Sequence, residues 1–219
     1  MSSKRIVVTG IGATTPIGGT ARESWAALLR KESGAHSLSQ DWVAQYELPV
    51  TFAAEAKVRP EEVLARVEVK RNDPMSQYAL IAVREAWADA GAPEVEPERL
   101  GVDWATGIGG LWTLIDAWDT LREKGPRRVL PTTVPMLMPN SAAGTALSME
   151  LNARAFARTV VSACASSTES IINAVEHLQA GKADVIVAGG SEAAIHPITL
   201  ASFAAMQARR ARVRLARSS

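Results

Sequence analysis

The chain is predicted to fold as layered α/β structure, on three observations. Apolar or β-branched runs of strand length alternate with longer segments of helical period. One strand-length run, Ala183 to Ala188, is apolar on both faces, as strands buried in parallel sheets are. Glycine pairs follow two of the runs, at Gly107-Ile108-Gly109-Gly110 and Gly189-Gly190, where tight turns or close backbone approach need them. Such alternation implies helices packed on a sheet through right-handed crossovers. No internal repeat is visible.

Taken in order, Lys4 to Thr9 is β-branched enough for a strand, and Gly10-Ile11-Gly12 turns the chain. Gly10, Gly12 and Thr15 miss the third glycine of the dinucleotide fingerprint, which excludes a Rossmann cofactor site. Thr20 to Lys31 reads as a helix with Trp25, Leu28 and Leu29 on one face. Pro60-Glu61-Glu62 opens a short helix, with proline first and acids in the first turn. The clearest helix is Asp73 to Ala90, capped by Asp73, started by Pro74 and closed by Gly91 and Pro93. Gly101 to Thr106 reads as a strand and Leu111 to Glu123 as a helix. Pro131, Pro135 and Pro139, four apart, cannot share one regular helix, so this run is an ordered non-helical crossing. Asn140 to Leu151 is helical again, with Asn140 or Ser141 as cap. Arg158 to Val161 reads as a strand, Ala165 to Ala180 as a helix, and a last helical run ends at Met206.

The 219 residues hold one large domain or two small ones, and 47% hydrophobic with 21% charged residues describes a soluble globular protein. A single cysteine excludes an internal disulfide framework and suits a reducing compartment. Lys4-Arg5 precede only a short apolar run, so no secretory signal is expected, and no stretch has the length of a membrane span. A cytoplasmic location follows as an expectation. The formal net charge of +1 is uneven: removing the five tail arginines from 24 basic residues leaves 19 against 23 acids in 1–206, a net charge of −4. An acidic body gives no general nucleic-acid footprint.

Cys164 lies in Val160–Ser170, VVSACASSTES, where a strand-like run gives way to a helical one. Ser162, Ala163, Ala165 and Ser166 are small and would leave the sulfur uncovered. A helix N-terminus offers unpaired amides and the positive end of the helix dipole, which favour a thiolate and an oxyanion beside it. A lone cysteine more often serves as a small buried hydrophobe. Its place in a strand–nucleophile–helix turn instead points to acyl transfer. No pair of histidines has metal-ligand spacing, and one cysteine cannot build a structural zinc site.

The Cys164 segment resembles the active-site elbow of the β-ketoacyl-ACP synthases, the elongating condensing enzymes of fatty-acid and polyketide synthesis. IVVTGIGATTPIG (6–18), SWAALLRKESG (24–34), GIGGL (107–111), KGPRRVLPTTVPMLMPN (124–140) and ADVIVAGGSEAAI (183–195) follow in that family's order. The FabF-like type is the most similar, and Ser-Ala-Cys-Ala-Ser followed by Glu169 resembles its actinobacterial branch. Two departures stand out. Ser167 replaces a usual glycine, and Asn152-Ala153-Arg154-Ala155-Phe156 replaces a glycine-rich turn, a mild change because Asn tolerates left-handed backbone.

The resemblance implies a thiolase-like αβαβα sandwich of two similar halves, of which 1–206 would be the first. It implies a decarboxylating Claisen condensation of an acyl thioester, held on Cys164, with malonyl-ACP. Ile108, Met138 and Phe203 would line the acyl channel, with Met136 offered from the same crossing, which would run along a homodimer interface. The Cys164 amide would be one oxyanion donor. Acyl carrier protein bearing acyl and malonyl thioesters would be the partner, with Arg127-Arg128 as a candidate contact, and no cofactor, nucleic acid or membrane is implied. The family draws two catalytic histidines from its second half, and none of the three here fits. His177 lies thirteen residues along the Cys164 helix, roughly 20 Å away. His36 sits in a loop, and His196 precedes Pro197.

After Met206 the family's pattern gives way to QARRARVRLARSS (207–219), an Arg-rich tail expected to be disordered or out of frame; a basic arm is the alternative. The chain by itself is expected to be an incompetent synthase. A non-catalytic remnant or dimer-partner subunit of a full-length synthase is one alternative. A soluble α/β binding domain with a basic tail is another. Sheet faces left uncovered would favour aggregation or obligate dimerisation.

Overall fold

The structure, a computed structural model, describes residues 5–206, so the Arg-rich 207–219 tail lies outside the described residues. The elements run α1 (Ala21–Leu29), β1 (His36–Ser37), α2 (Asp41–Gln45), β2 (Phe52–Ala53), α3 (Pro60–Val63), α4 (Arg66–Arg71), α5 (Pro74–Asp89) and β3 (Leu100–Ala105). They continue as α6 (Leu111–Lys124), α7 (Ala142–Glu150), β4 (Phe156–Arg158), α8 (Ser166–Gln179), β5 (Val185–Gly190) and α9 (Pro197–Ala205). These fall into two compact units, 5–33 with 56–193 and 34–55 with 194–206.

The first unit is built on a parallel sheet in the order β4-β3-β5, in agreement with the predicted α/β class. Central β3 pairs Leu100–Ala105 with Val185–Gly190 on one side and Gly101–Asp103 with Phe156–Arg158 on the other. All six of its residues are buried. Val102 and Trp104 point into the layer of α5 and α7, among Met75, Leu80, Val83 and Leu147. Helix α8 packs against β3 and β5, its buried Ser170 bonded to the β3 backbone. A sheet covered on both faces explains why β3 and β5 lack polar alternation.

Helix α5 forms as predicted. The Asp73 carboxylate accepts from the Met75 amide at 3.0 Å, Pro74 opens the first turn, and Gly91 at φ +80° follows Ala90. The second carboxylate oxygen of Asp73 accepts from the Thr113 amide at 3.0 Å, so the same cap also anchors the start of α6. Thr20 likewise caps α1 through the Glu23 amide at 3.1 Å. Ser141 takes the cap position of α7 without a side-chain cap bond.

Several boundaries differ from expectation. Among the described residues of the predicted first strand, 5–9, none is in a strand. The chain just beyond is drawn onto α5 instead: the Ile11 amide donates to Asp89 (2.9 Å) and the Ala13 amide to Glu85 (2.8 Å). The strand predicted at 158–161 ends at Arg158, because the chain leaves the sheet to enter the elbow described below. The last strand runs two residues later than predicted and includes Gly189-Gly190, where a Cβ would fall 3.0 Å from the Trp104 ring at Gly189 and 2.8 Å from the Ala105 carbonyl oxygen at Gly190. The proline crossing is not a regular helix, yet it contains a short turn at Pro126–Arg128 and a π-helical turn at Thr133–Leu137. Asn152 adopts φ +53°, the left-handed backbone expected of it.

The second unit pairs β1 with β2 antiparallel and buries Leu38, Leu48, Ala53 and Leu200 against Trp42, Val43 and Ile195. His196 caps α9 by accepting from the Ile198 amide at 3.2 Å, and Pro197 suits the first turn. No helix among the described residues is long and apolar enough to cross a membrane.

Candidate active site

Cys164 sits in a single 3-10 turn, Ala163–Ala165, between the end of β4 and the start of α8. Ala163 is left-handed at φ +53°, a conformation that costs an L-residue about 1–2 kcal/mol. Ser166 holds the turn: its hydroxyl accepts from the Ser162 amide at 2.9 Å and donates to the Ala163 carbonyl at 2.6 Å. The Ala165 amide closes onto the Ser162 carbonyl at 3.1 Å. The result is a sharp, strained turn that leaves the free Cys164 exposed just before the first turn of α8. Ser167, where a glycine was expected, points at Gly190; a Cβ at Gly190 would fall 2.1 Å from the Ser167 hydroxyl, so position 190 accommodates the exchange.

The glycine loop after β3 lies against this elbow. A Cβ on Gly107 would stand 3.4 Å from the Ala163 carbonyl oxygen and 3.1 Å from a Glu192 carboxylate oxygen. Ile108 follows, 39% exposed. The loop is also joined to the proline crossing, because the Gly110 amide donates to the Met138 carbonyl at 3.0 Å. Cys164, Ile108 and Met138 therefore stand on three adjoining segments. Phe203 is on α9 in the second unit and partly exposed. Arg127 and Arg128 are exposed in their short turn, and Arg128 lines a cleft of about 310 Å³ with Lys70, Trp112, Asp116 and Leu137.

The histidines are committed elsewhere. His177 is buried at the far end of α8, with Arg158 Nη1 3.0 Å from Nε2, Lys182 Nζ 3.4 Å from Nδ1, and the Phe156 ring edge-on at 5.0 Å. Burial, reinforced by the two cations, lowers its pKa below the ordinary value. His36 bonds the Gly34 carbonyl and Glu55, and His196 caps α9. Among the described residues no group of three His, Cys, Asp or Glu side chains is placed to hold a metal ion.

Glu192 is the residue that the sequence did not single out. Its carboxylate accepts from the Gly107 amide (2.8 Å), the Ile108 amide (3.0 Å) and the Thr106 hydroxyl (3.2 Å). Those partners are more than eighty residues away, and the one available signal was its place just past the carboxyl end of a parallel strand, where α/β sheets build their sites.

The model of the β-ketoacyl synthase N-terminal domain matches residues 3–218. The 3-oxoacyl-[acyl-carrier-protein] synthase 2 of Mycobacterium tuberculosis (strain H37Rv) is 36% identical over 202 residues, covering 92% of this chain and 48% of the relative. The enzyme of the same name from Staphylococcus aureus (strain COL) is 38% identical over 209 residues, covering 94% and 50%. The chain thus spans about half the length of the curated relatives it matches. Among solved structures, a β-ketoacyl synthase from Burkholderia phymatum STM815 superposes with a TM-score of 0.77 at 26% identity, over 93% of this chain and 50% of that one. A type II polyketide ketosynthase, bound to a hexaketide and in complex with its acyl-carrier protein, gives 0.78 at 25% identity, over 94% and 49%. The ishigamide ketosynthase/chain length factor gives 0.82 at 22% identity, over 94% and 51%, a likeness of fold alone. The layered thiolase-like fold is therefore present here to the extent of about half of those chains. Parallel sheet, cysteine elbow and the sequence match across nearly the whole chain agree, and the chain belongs to the β-ketoacyl synthase family, matching its N-terminal domain.

Proposed function

We propose that this chain carries the acyl-accepting part of a cytoplasmic 3-oxoacyl-ACP synthase, with Cys164 as the nucleophile. The observation that carries the reading is the exposed thiol on a strained turn at the head of α8. In the acylation step Sγ attacks the thioester carbonyl carbon, the carrier's sulfur leaves, and the proton lost from the Cys164 thiol ends on that leaving thiol. The tetrahedral oxyanion would be held by backbone amides at the elbow, that of Cys164 first. Ile108, Met138 and Phe203 would border the acyl chain. Acyl carrier protein would deliver it, with Arg127 and Arg128 meeting the carrier's acidic surface. The second half-reaction, attack on the acyl-enzyme by a carbanion from decarboxylated malonyl-ACP, needs groups that polarise the malonyl carbonyl, and His36, His177 and His196 are each engaged in structural roles. Under this reading the described residues carry the acylation step, and these three histidines take no part in the condensation. The half-exposed Ile171 and Ile172 on α8 and Trp118 on α6 suit a chain that pairs with further polypeptide, a homodimer partner included.

The test is intact-mass spectrometry of the full chain after incubation with acyl-CoA or acyl-ACP. The expected result is one acyl adduct, mapped to Cys164 and absent from Cys164→Ala. An unmodified chain, or an adduct that survives that substitution, would overturn the assignment.

A further inference from the structure

We infer that Glu192 is a positioning residue: its carboxylate fixes the loop that carries Ile108 and thereby sets which acyl chains Cys164 accepts. The inference rests on the acyl-accepting role proposed above and adds a specificity determinant to it.

The geometry begins with how Glu192 itself is held. On one side of it the Ser191 hydroxyl accepts from Trp104 Nε1 at 3.0 Å and donates to the Met75 carbonyl at 2.7 Å. On the other side the Ala193 carbonyl accepts from Trp112 Nε1 at 3.0 Å. Two tryptophans, from β3 and α6, thus pin the backbone just past the end of β5, so the carboxylate projects from a fixed base.

From that base it commands the loop. One oxygen of Glu192 takes the amides of Gly107 and Ile108 together. The other accepts from the Thr106 hydroxyl, whose own oxygen accepts from the Gly109 amide at 3.1 Å. Three successive loop amides are therefore satisfied directly or through one hydroxyl by a single side chain. Bonds from backbone amides to an ionised carboxylate are stronger than those between neutral groups. The loop has little rigidity of its own, since glycine occupies three of its four positions and Gly109 is left-handed at φ +86°. Gly107 is pressed between this carboxylate and the Ala163 carbonyl of the elbow, with no room for a Cβ to pass unnoticed. A shift of the loop would move the Ile108 side chain relative to Cys164, and that displacement changes how much acyl chain fits beside the sulfur.

The experiment uses the full chain and its Glu192→Ala, Glu192→Gln and Thr106→Val variants. Acylation of Cys164 by butyryl-CoA and by palmitoyl-CoA is followed by intact mass, and the ratio of the two rates is the readout. The ratio cancels any loss of folded protein common to both reactions. Loss of a charge-assisted bond is expected to change the ratio about tenfold in Glu192→Ala. Glu192→Gln retains an acceptor oxygen and is expected to restore most of the wild-type ratio, and Thr106→Val to shift it in the same direction as Glu192→Ala. Equal ratios in the wild type and all three variants would overturn the role of Glu192 while leaving Cys164 acylation standing. A wild-type chain acylated by neither thioester would overturn the acyl-accepting reading, and this inference with it.

Discussion

The hydroxyl of Ser170, in the middle of α8, donates to the carbonyl oxygen of Asp103, in the middle of β3, and both residues are buried. The same hydroxyl accepts from the Gly189 amide of β5 at 3.2 Å, so one side chain bonds the elbow helix to two adjacent strands. Helix α8 begins at the cysteine turn, and this junction fixes where that turn stands over the sheet. Ser170→Ala removes the hydroxyl and leaves the Gly189 amide without this acceptor, at an expected cost of about 1–3 kcal/mol. Urea denaturation followed by circular dichroism measures it. A loss below the resolution of that measurement would show that helix packing alone holds the junction.

At the other end of α8, His177 predicts a pH response. Arg158 on β4 and Lys182 after the helix face its two ring nitrogens, while Asp103 on β3 and Glu176 on α8 act in the opposite sense. Burial and the two cations hold its pKa below 6.5, so the folded state keeps the imidazole neutral where the unfolded chain takes up a proton. Stability from this group is full above about pH 6.5 and is lost as pH falls towards the depressed folded value. Between about pH 7.5 and about pH 5.5, urea midpoints should fall for the wild type and fall less for His177→Gln. An equal fall in both would remove His177 as the cause.

Asp103 predicts the opposite sign. It is almost wholly buried, and its Oδ1 atom has no hydrogen-bond partner. Burial raises its pKa above the ordinary 3.8, partly opposed by the Ser170 hydroxyl, by His177 once acid protonates that ring, and by the Arg158 guanidinium. Its contribution is most favourable below 3.8 and is lost as pH rises through the folded value, so at neutral pH an ionised Asp103 is a net cost. Asp103→Asn removes that charge at nearly constant volume and is expected to raise the urea midpoint measurably at neutral pH. A loss of similar size in the urea midpoint would mean that the carboxylate has a partner worth keeping.

The contrast between Cys164 and Glu192 shows what the sequence made legible. The elbow is local: small residues, a lone thiol and the change from β-branched to helical spacing lie within a dozen positions. Helix α5 is local in the same way, since Asp73, Pro74 and Gly91 mark its ends regardless of what packs on it. The predicted first strand, not formed over the described residues 5–9, depended on a tertiary partner. Val7 and Val8 have strand propensity, but propensity yields when the neighbouring chain is drawn to the carboxylates of Asp89 and Glu85. Glu192 bonds residues more than eighty positions away, a relation that exists only once β3 and β5 lie side by side. The buried Asp103 and His177 were equally hidden, because nothing in a run such as GVDWAT marks the aspartate as interior until both strand neighbours are known.

The strained residue beside the nucleophile gives the most direct test of the elbow. Ala163 at φ +53° has a Cβ in a region that glycine occupies freely and β-branched residues avoid. Ala163→Gly removes that strain, offset by the greater freedom of the unfolded glycine, so stability should stay level or rise by about 1 kcal/mol. Ala163→Val places a branched side chain at the same angle and should cost about 2 kcal/mol or more. If strain holds the thiol in its displayed position, Ala163→Gly also acylates more slowly with butyryl-CoA despite its equal or higher stability. Urea denaturation and intact-mass kinetics on the same two proteins separate the effects. A glycine variant that is markedly less stable than the wild type would show that Ala163 is not held left-handed. One that is as stable and acylates as fast would show that the strain is incidental to the chemistry of Cys164.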